Sequence, residues 1–301
     1  MILYKYVSFE AAKKILETNT LGFSHLDDFN DPFESTAFGF QDHGIVTNRV
    51  QTNAYRNRFS DKYAVLSLTD NPLNPLMWAH YGVSHTGVVL GIDVDKAGLN
   101  HESFVIPVSK GKIEYFIDEP CIGEFSLDAE LLRSVGSDEL INLNNANAKL
   151  LKHAFLYKQN IWDYENEIRV VKNLINISKV YKSRYVKTHT QPMVEEGSKQ
   201  IWSRLYIDRS IYCLHIPTDA FVSVYLGNKS YRDQNNKYSK QLHTMQSSSD
   251  PILSKQKPTH GYKDFIEFCQ NRTMDIYSTT IDIKNWCLHK KPHPKIGQLE
   301  T

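Results

Sequence analysis

A chain of 301 residues with 35 basic and 34 acidic side chains has a formal charge of +1, which excludes a strongly basic nucleic-acid binder of the histone type. Hydrophobic residues at 41% and charged residues at 23% exclude a disordered polymer and supply enough apolar surface for a sizeable core. Only residues 229–301 lean basic, with 12 basic against 7 acidic side chains, and they leave local contact with an anion open.

In chain order, residues 3–7 predict a short strand, Ser8 an N-cap and residues 10–16 a short helix. Residues 20–24 return as a strand or extended turn. Residues 29–34, Phe-Asn-Asp-Pro-Phe-Glu, form a turn anchored by Phe29 and Phe33. Residues 45–59 read as a weakly patterned helix. Strands follow at 63–69 and 87–94, separated by a breaker at 70–75 and a short helix or turn at 76–82. Residues 105–108 and 111–117 read as a hairpin around Lys110-Gly111. Residues 127–157 are largely helical, and 165–171, 211–216 and 221–226 are strands. The polar stretch 235–261, which contains Ser247-Ser248-Ser249, reads as a mobile loop. A helix at 262–270 and a strand at 279–288 pack back on the core. Strands and helices mix without regular alternation, so the class is α+β and the expectation is one domain over 1–301, with its core at 3–230.

No apolar run approaches the ~20 residues that span a bilayer, and the opening residues lack a signal-peptide pattern. Cys121, Cys213, Cys269 and Cys287 are scattered, with no Cys-x-x-Cys pair, so neither zinc nor a disulfide framework is indicated. The reading is a reducing, cytoplasmic compartment with no membrane partner.

Three groups of residues carry candidate chemistry. On a strand, Glu165, Glu167 and Arg169 share one face while Ile168 and Val170 enter the core. Two carboxylates facing a partly dry cleft tune each other; a solvated face with a Glu–Arg pair is the structural alternative. Trp78, His80, Tyr81 and His85 cluster between two apolar strands beyond Ser67, either as core or as a ring-binding wall. His80 and His85 lack helical metal spacing, so no metal is assigned. Lys5 lies between Tyr4 and Tyr6 on the opening strand and faces a cleft or protects a sheet edge. P-loop, dinucleotide-fold, nucleophile-elbow and zincin motifs are absent from the sequence.

Taken together, Leu3-Tyr4-Lys5-Tyr6, the 29–34 hexapeptide, Met77-Trp78-Ala79-His80-Tyr81 with Gly87–Gly91, and Tyr164-Glu165-Asn166-Glu167-Ile168-Arg169 resemble the bacterial family catalogued as domain of unknown function 2971, over about residues 3–230. A second, weaker resemblance is to ADP-ribosyltransferases. It implies a split mixed or antiparallel sheet with peripheral helices, and three motif positions on separate strands. Lys5 stands where that resemblance implies His or Arg. Ser67, His80 and Tyr81 fall in the second region, and Glu165-Asn166-Glu167 supplies the third.

The implied activity is cleavage of NAD at the nicotinamide–ribose bond and transfer of ADP-ribose to a protein or nucleic-acid acceptor, with a toxin or antiphage setting. NAD is then a substrate and no metal is required. Glu167 would stabilise the oxocarbenium-like charge and Glu165 would serve the acceptor. Lys5, Tyr6, Ser67, Trp78, His80 and Tyr81 would hold NAD. The alternatives are a non-catalytic nucleotide- or partner-binding module of the same fold, and a nuclease.

Overall fold

Apolar runs and turn residues become strands and breaks largely where the pattern places them. The computed structural model describes residues 1–31, 62–117, 148–175, 177–179, 190–195, 199–206, 210–247 and 261–294. In chain order these hold β1 (Ile2–Val7), α1 (Phe9–Thr18), β2 (Thr20–Phe23), β3 (Tyr63–Thr69), α2 (Pro75–His80), β4 (Val88–Asp93) and β5 (Glu114–Phe116). There follow α3 (Ala148–Phe155), β6 (Tyr157–Gln159), β7 (Glu167–Asn173), β8 (Ile177–Lys179), β9 (Thr190–Glu195), β10 (Ile201–Tyr206) and β11 (Ser210–His215). The last elements are β12 (Phe221–Leu226), α4 (Ser230–Ser247), α5 (Gly261–Asn271), β13 (Asp275–Asp282) and β14 (Cys287–Pro292). The class is α+β, with mixed sheets and few helices. Among the described residues, no helix is long and apolar enough to cross a membrane.

The chain divides into two compact units. The first comprises Met1–Thr18, Asp70–Asp93 and Pro217–Thr301, and the second comprises Asn19–Thr69 and Val94–Ile216.

In the first unit the strand order is β14-β13-β12-β4-β1, parallel only between β12 and β13. Val88, Val89, Leu90 and Ile92 of β4 are all fully buried, because a central strand covered on both faces needs an unbroken apolar run. Ser8 caps α1 as expected, its Oγ accepting from the Ala11 amide at 3.1 Å. Phe9, Ala12 and Leu16 form the buried stripe of α1, and the Phe9 ring sits 4.7 Å from that of Phe265 in α5.

Two expectations fail in this unit. The stretch expected as a loop at 235–261 is helical up to Ser247, within α4; residues 248–260 lie outside the described residues. Polar composition concealed this helix because its anchors are specific contacts. The buried Ser230 hydroxyl donates toward the carbonyls of Thr86 (3.0 Å) and Gly87 (2.9 Å), and Lys237 bridges Asp233 and Glu10. The strand expected at 279–288 is a hairpin. Asp282 accepts from the backbone N–H groups of Lys284 and Asn285, and that side-chain turn ends β13.

In the second unit β2-β11-β10-β9-β8 form an antiparallel sheet, β5 and β6 pair in parallel, and β3 pairs antiparallel with β7. Tyr63, Val65 and Val171 share one face of the β3–β7 pair and pack with Leu26, Ile106, Ile113 and with Leu151, Ala154 and Phe155 of α3. Phe29 is a half-buried ring against this core, and Asp31 beside it is buried; Phe33 lies outside the described residues, as does 45–59. Of the helix expected at 127–157 only α3 is described, and Tyr157 already belongs to β6.

The hairpin expected at 105–117 does not form. Residues 108–110 make a 3₁₀ turn, and the segments on either side pair with β7, through bridges Ile106–Val171 and Lys112–Ile168. Long-range pairing to β7 wins over local pairing because it buries Val105, Ile106 and Ile113.

Gly111 makes that pairing possible. The Arg169 amide donates to the Gly111 carbonyl at 2.7 Å, and a Cβ on Gly111 would stand 1.7 Å from the Arg169 carbonyl oxygen. Backbone cannot rotate away as a side-chain end can, so Gly111→Ala should lose about 1–3 kcal/mol, the range for overpacking. Chemical denaturation of the two proteins measures this, and equal midpoints would show that the segment shifts freely.

Candidate functional site: a buried ion cluster at the start of β7

The strand expected from 165 begins at Glu167. Residues Asn160–Glu165 form a 3₁₀ helix, and Asn166 turns the chain in the left-handed region (φ 44°, ψ 46°), a conformation Asn tolerates better than most residues. Glu165 is therefore not on the strand, and the two carboxylates do not share a strand face by alternation. The turn nevertheless returns Glu165 to the same cation as Glu167. Lys158, on β6, lies 2.7 Å from Glu165 Oε2 and 3.2 Å from Glu167 Oε2.

Arg169 completes the cluster. Its Nε and Nη2 donate to the two oxygens of Glu167 at 2.8 and 2.9 Å, a two-pronged pairing that only a guanidinium offers, and Nη1 donates to the Phe155 carbonyl at 2.8 Å. The Glu167 amide donates to the Tyr115 hydroxyl at 2.9 Å. Ser67, opposite Arg169 in register, lies beside the Glu167 carboxylate and adds to the lowering of its pKa. Rings complete the enclosure: Phe29 lies 5.2 Å from the guanidinium and Trp162 lies 5.0 Å from the Lys158 ammonium.

The expectation that this face meets solvent or a cleft is corrected by burial. None of the four charged side chains is more than 7% exposed, and Arg169 is 0% exposed. Two cations against two carboxylates make the group formally neutral, the condition under which charges can be kept in an interior. Burial by itself would raise the Glu167 carboxyl, but Arg169 and then Lys158 outweigh it, and the group is held at about 2. Across the sheet, on the other face of β7, a second buried pair joins Lys172 to Glu195, with Lys172 also donating to the Ser103 carbonyl and lying over the Phe104 and Trp202 rings.

The remaining candidates lie in the first unit. Lys5 is partly buried on β1 opposite Leu90. Tyr6 is buried, its hydroxyl donating to the Asn71 carbonyl at 2.9 Å, and burial pushes its phenol well above the usual range. Trp78 is a core residue rather than an accessible wall: it is 0% exposed, donates Nε1–H to the Pro72 carbonyl, meets the Tyr6 ring edge-on at 5.4 Å and stacks with His85. His80 is exposed and Tyr81 half-buried, their rings 6.4 Å apart. Asn74 caps α2 through its side chain, which sets the direction of this block. Just beyond it Val83, Ser84 and His85 all have positive φ (49°, 53° and 69°), a strained turn for non-glycine residues. Thus the structure joins Ser67, Glu165 and Glu167 in one unit, and Tyr6 with Trp78 in the other.

Lys158 and Tyr115 escaped sequence reasoning. Lys158 is a single lysine between Tyr157 and Gln159, and Tyr115 sits in a segment read as a hairpin; only the pairing of 105–117 with β7 places Tyr115 at the cluster.

Residues 77–170 match the model of a family described as protein of unknown function (DUF2971). The match includes the Trp78–Tyr81 block and the Glu165–Arg169 segment, while residues 3–7 and 29–34 lie outside it. No curated protein and no solved structure matches the chain.

Two measurements test the cluster. Arg169→Met leaves Glu167 buried with half its counter-charge, so unfolding free energy should fall by about 3–5 kcal/mol. The folded pKa of Glu167 lies below its ordinary value of 4.5, so its contribution to stability is complete above about 4.5 and fades as pH falls through about 2. A carboxyl-carbon NMR titration should show Glu167 still ionised at pH 3, and a midpoint near 4.5 would refute the clamp.

Proposed function

We propose that this chain is an ADP-ribosyltransferase-like enzyme. In this reading it cleaves NAD at the nicotinamide–ribose bond and passes ADP-ribose to a macromolecular acceptor, protein or nucleic acid, in a toxin or antiphage setting. The observation that carries the reading is Glu167: a carboxylate at the start of a strand, held ionised by Arg169 and Lys158, with Ser67 of the neighbouring strand adding to that effect. Departure of nicotinamide builds positive charge on the ribose, and a fixed anion stabilises that charge without reorganising during the reaction.

Lys158 gives the anion a way to turn toward substrate. Its contact to Glu165 is the shorter, so Glu165 retains the ammonium when Oε2 of Glu167 exchanges it for the bound ribose, before nicotinamide leaves. Glu165 then has a part in preparing Glu167, besides any role in accepting the acceptor's proton. Lys5 and Tyr6 serve the NAD-binding strand, and the exposed His80 and half-buried Tyr81 are the rings of the second motif open to a ligand. Trp78 supports them from the core. Among the described residues, Cys213, Cys269 and Cys287 form no disulfide, which favours a reducing, cytoplasmic setting.

A second reading is favoured by the same burial: both Glu167 oxygens already accept from cations, as in a purely structural clamp, and the chain would then be a non-catalytic nucleotide- or partner-binding module. Nicotinamide release and label transfer from NAD separate the two. Glu167→Gln, normalised to folded protein, should lose about a hundredfold or more in NAD cleavage. Ser67→Ala exposes no buried charge, so it should keep its melting midpoint while losing about tenfold, as expected for the loss of one polar neighbour of a charged group. Wild-type protein that neither binds nor cleaves NAD would overturn the transferase reading and leave the binding-module one.

A further inference from the structure

The β13–β14 hairpin brings together three groups that lie outside the ion cluster. Asp282 ends β13. Cys287 opens β14 directly opposite it in register, and His289, two residues on, lies on the same face of the strand as Cys287. One ligand atom from each lies within 4.8 Å of the others. His289 Nε2 is 3.5 Å from Cys287 Sγ and 3.1 Å from Asp282 Oδ2.

The same ring nitrogen faces both neighbours, and this excludes the obvious catalytic reading. A Cys–His–Asp relay needs the carboxylate on one imidazole nitrogen and the thiol on the other. Here sulfur, nitrogen and oxygen converge on one point. With Zn–S about 2.3 Å and Zn–N or Zn–O about 2.0–2.1 Å, tetrahedral angles separate sulfur from nitrogen by about 3.5 Å and nitrogen from oxygen by about 3.4 Å. The contacts in the hairpin are close to both values.

The turn prepares the carboxylate. Asp282 Oδ1 accepts from the amides of Lys284 (2.9 Å) and Asn285 (3.1 Å), and Oδ2 accepts from Asn285 Nδ2 at 2.9 Å. Such outer contacts fix a ligand's orientation before an ion arrives. Access is open, since the side chains of His289 and Asp282 are 57% and 25% exposed.

We propose that Asp282, Cys287 and His289 form a mononuclear site for a borderline divalent transition cation such as zinc, with the fourth position open to water or an exogenous ligand. A thiolate, an imidazole and a carboxylate suit such a cation better than magnesium or calcium, which prefer all-oxygen shells. Loading releases the Cys287 proton and displaces the hydrogen bond between His289 and Asp282. The proposal is independent of NAD chemistry.

The probe is Co²⁺ titrated into the full-length, fully reduced chain, followed by Zn²⁺ competition. One cobalt per chain should bind, with thiolate-to-cobalt charge-transfer absorption that Zn²⁺ abolishes. Cys287→Ser should lose the charge-transfer band, and His289→Gln should weaken binding at least tenfold. Trp286, 91% exposed on the turn between the ligands, should lose fluorescence as cobalt loads. Equal melting midpoints of the metal-free proteins check that the exposed hairpin tolerates both substitutions; should Cys287→Ser unfold, the His289→Gln affinity and the Trp286 signal decide alone. Absence of the band in the wild type, or its survival in Cys287→Ser, would overturn the site.

Discussion

Glu167 and Arg169 are held by each other before they are held by anything else. Neither could stay charged in an interior alone, and together with Lys158 and Glu165 they form a neutral group that an apolar core can enclose. The consequences extend along the chain. The Arg169 fork captures the Phe155 carbonyl at the end of α3, Lys158 brings in the 3₁₀ turn through Glu165, and the Glu167 amide takes the Tyr115 hydroxyl of β5. Three neighbouring segments and the sequence-distant β5 are thereby registered on the first residues of one strand. A salt bridge of this kind adds little net stability over an apolar replacement, but it penalises any arrangement in which one partner is missing.

The aromatic residues explain how such a cluster is kept dry. The chain carries 17 Tyr, 14 Phe and 4 Trp, and the described rings largely serve enclosure. Phe29 and Trp162 cover the two cations of the cluster, Phe104 and Trp202 do the same for Lys172, and Trp78 fills the core beside Tyr6 and His85. Ring faces are suited to this because they exclude water while still offering a cation some electrostatic attraction. Trp286 is the counter-example, almost fully exposed on the β13–β14 turn.

A carboxylate fixed in this way has two sides chemically. Pre-organisation makes it an effective stabiliser of a developing cation, because nothing has to reorient when the charge appears. Saturation by two cations weakens the same effect, and the unequal distances from Lys158 to Glu165 and Glu167 show where the constraint is softest. The hairpin triad has the opposite character: it is exposed, its donors converge without a built-in cation, and its carboxylate is oriented by a turn rather than by a core.

Much of this was legible in the residues themselves. Strands at 3–7, 63–69, 87–94, 211–216 and 221–226 follow from apolar runs bounded by turn residues, and the Ser8 cap follows from its hydroxyl before an amphipathic helix, since these are local preferences. The Glu165, Glu167 and Arg169 group was visible as charges interrupting an apolar strand. What alternation could not show was that both faces of β7 are buried, because burial depends on what packs above and below. Lys158 and Tyr115 reach Glu167 across 9 and 52 residues, and no local pattern encodes such a contact. The α4 helix was hidden for the same reason: its sequence is polar, and it is held by Ser230 reaching carbonyls more than 140 residues away. Asp282, Cys287 and His289 span only eight positions, yet they converge because a turn folds one strand back on the next, and the direction in which each side chain points is a property of that pairing.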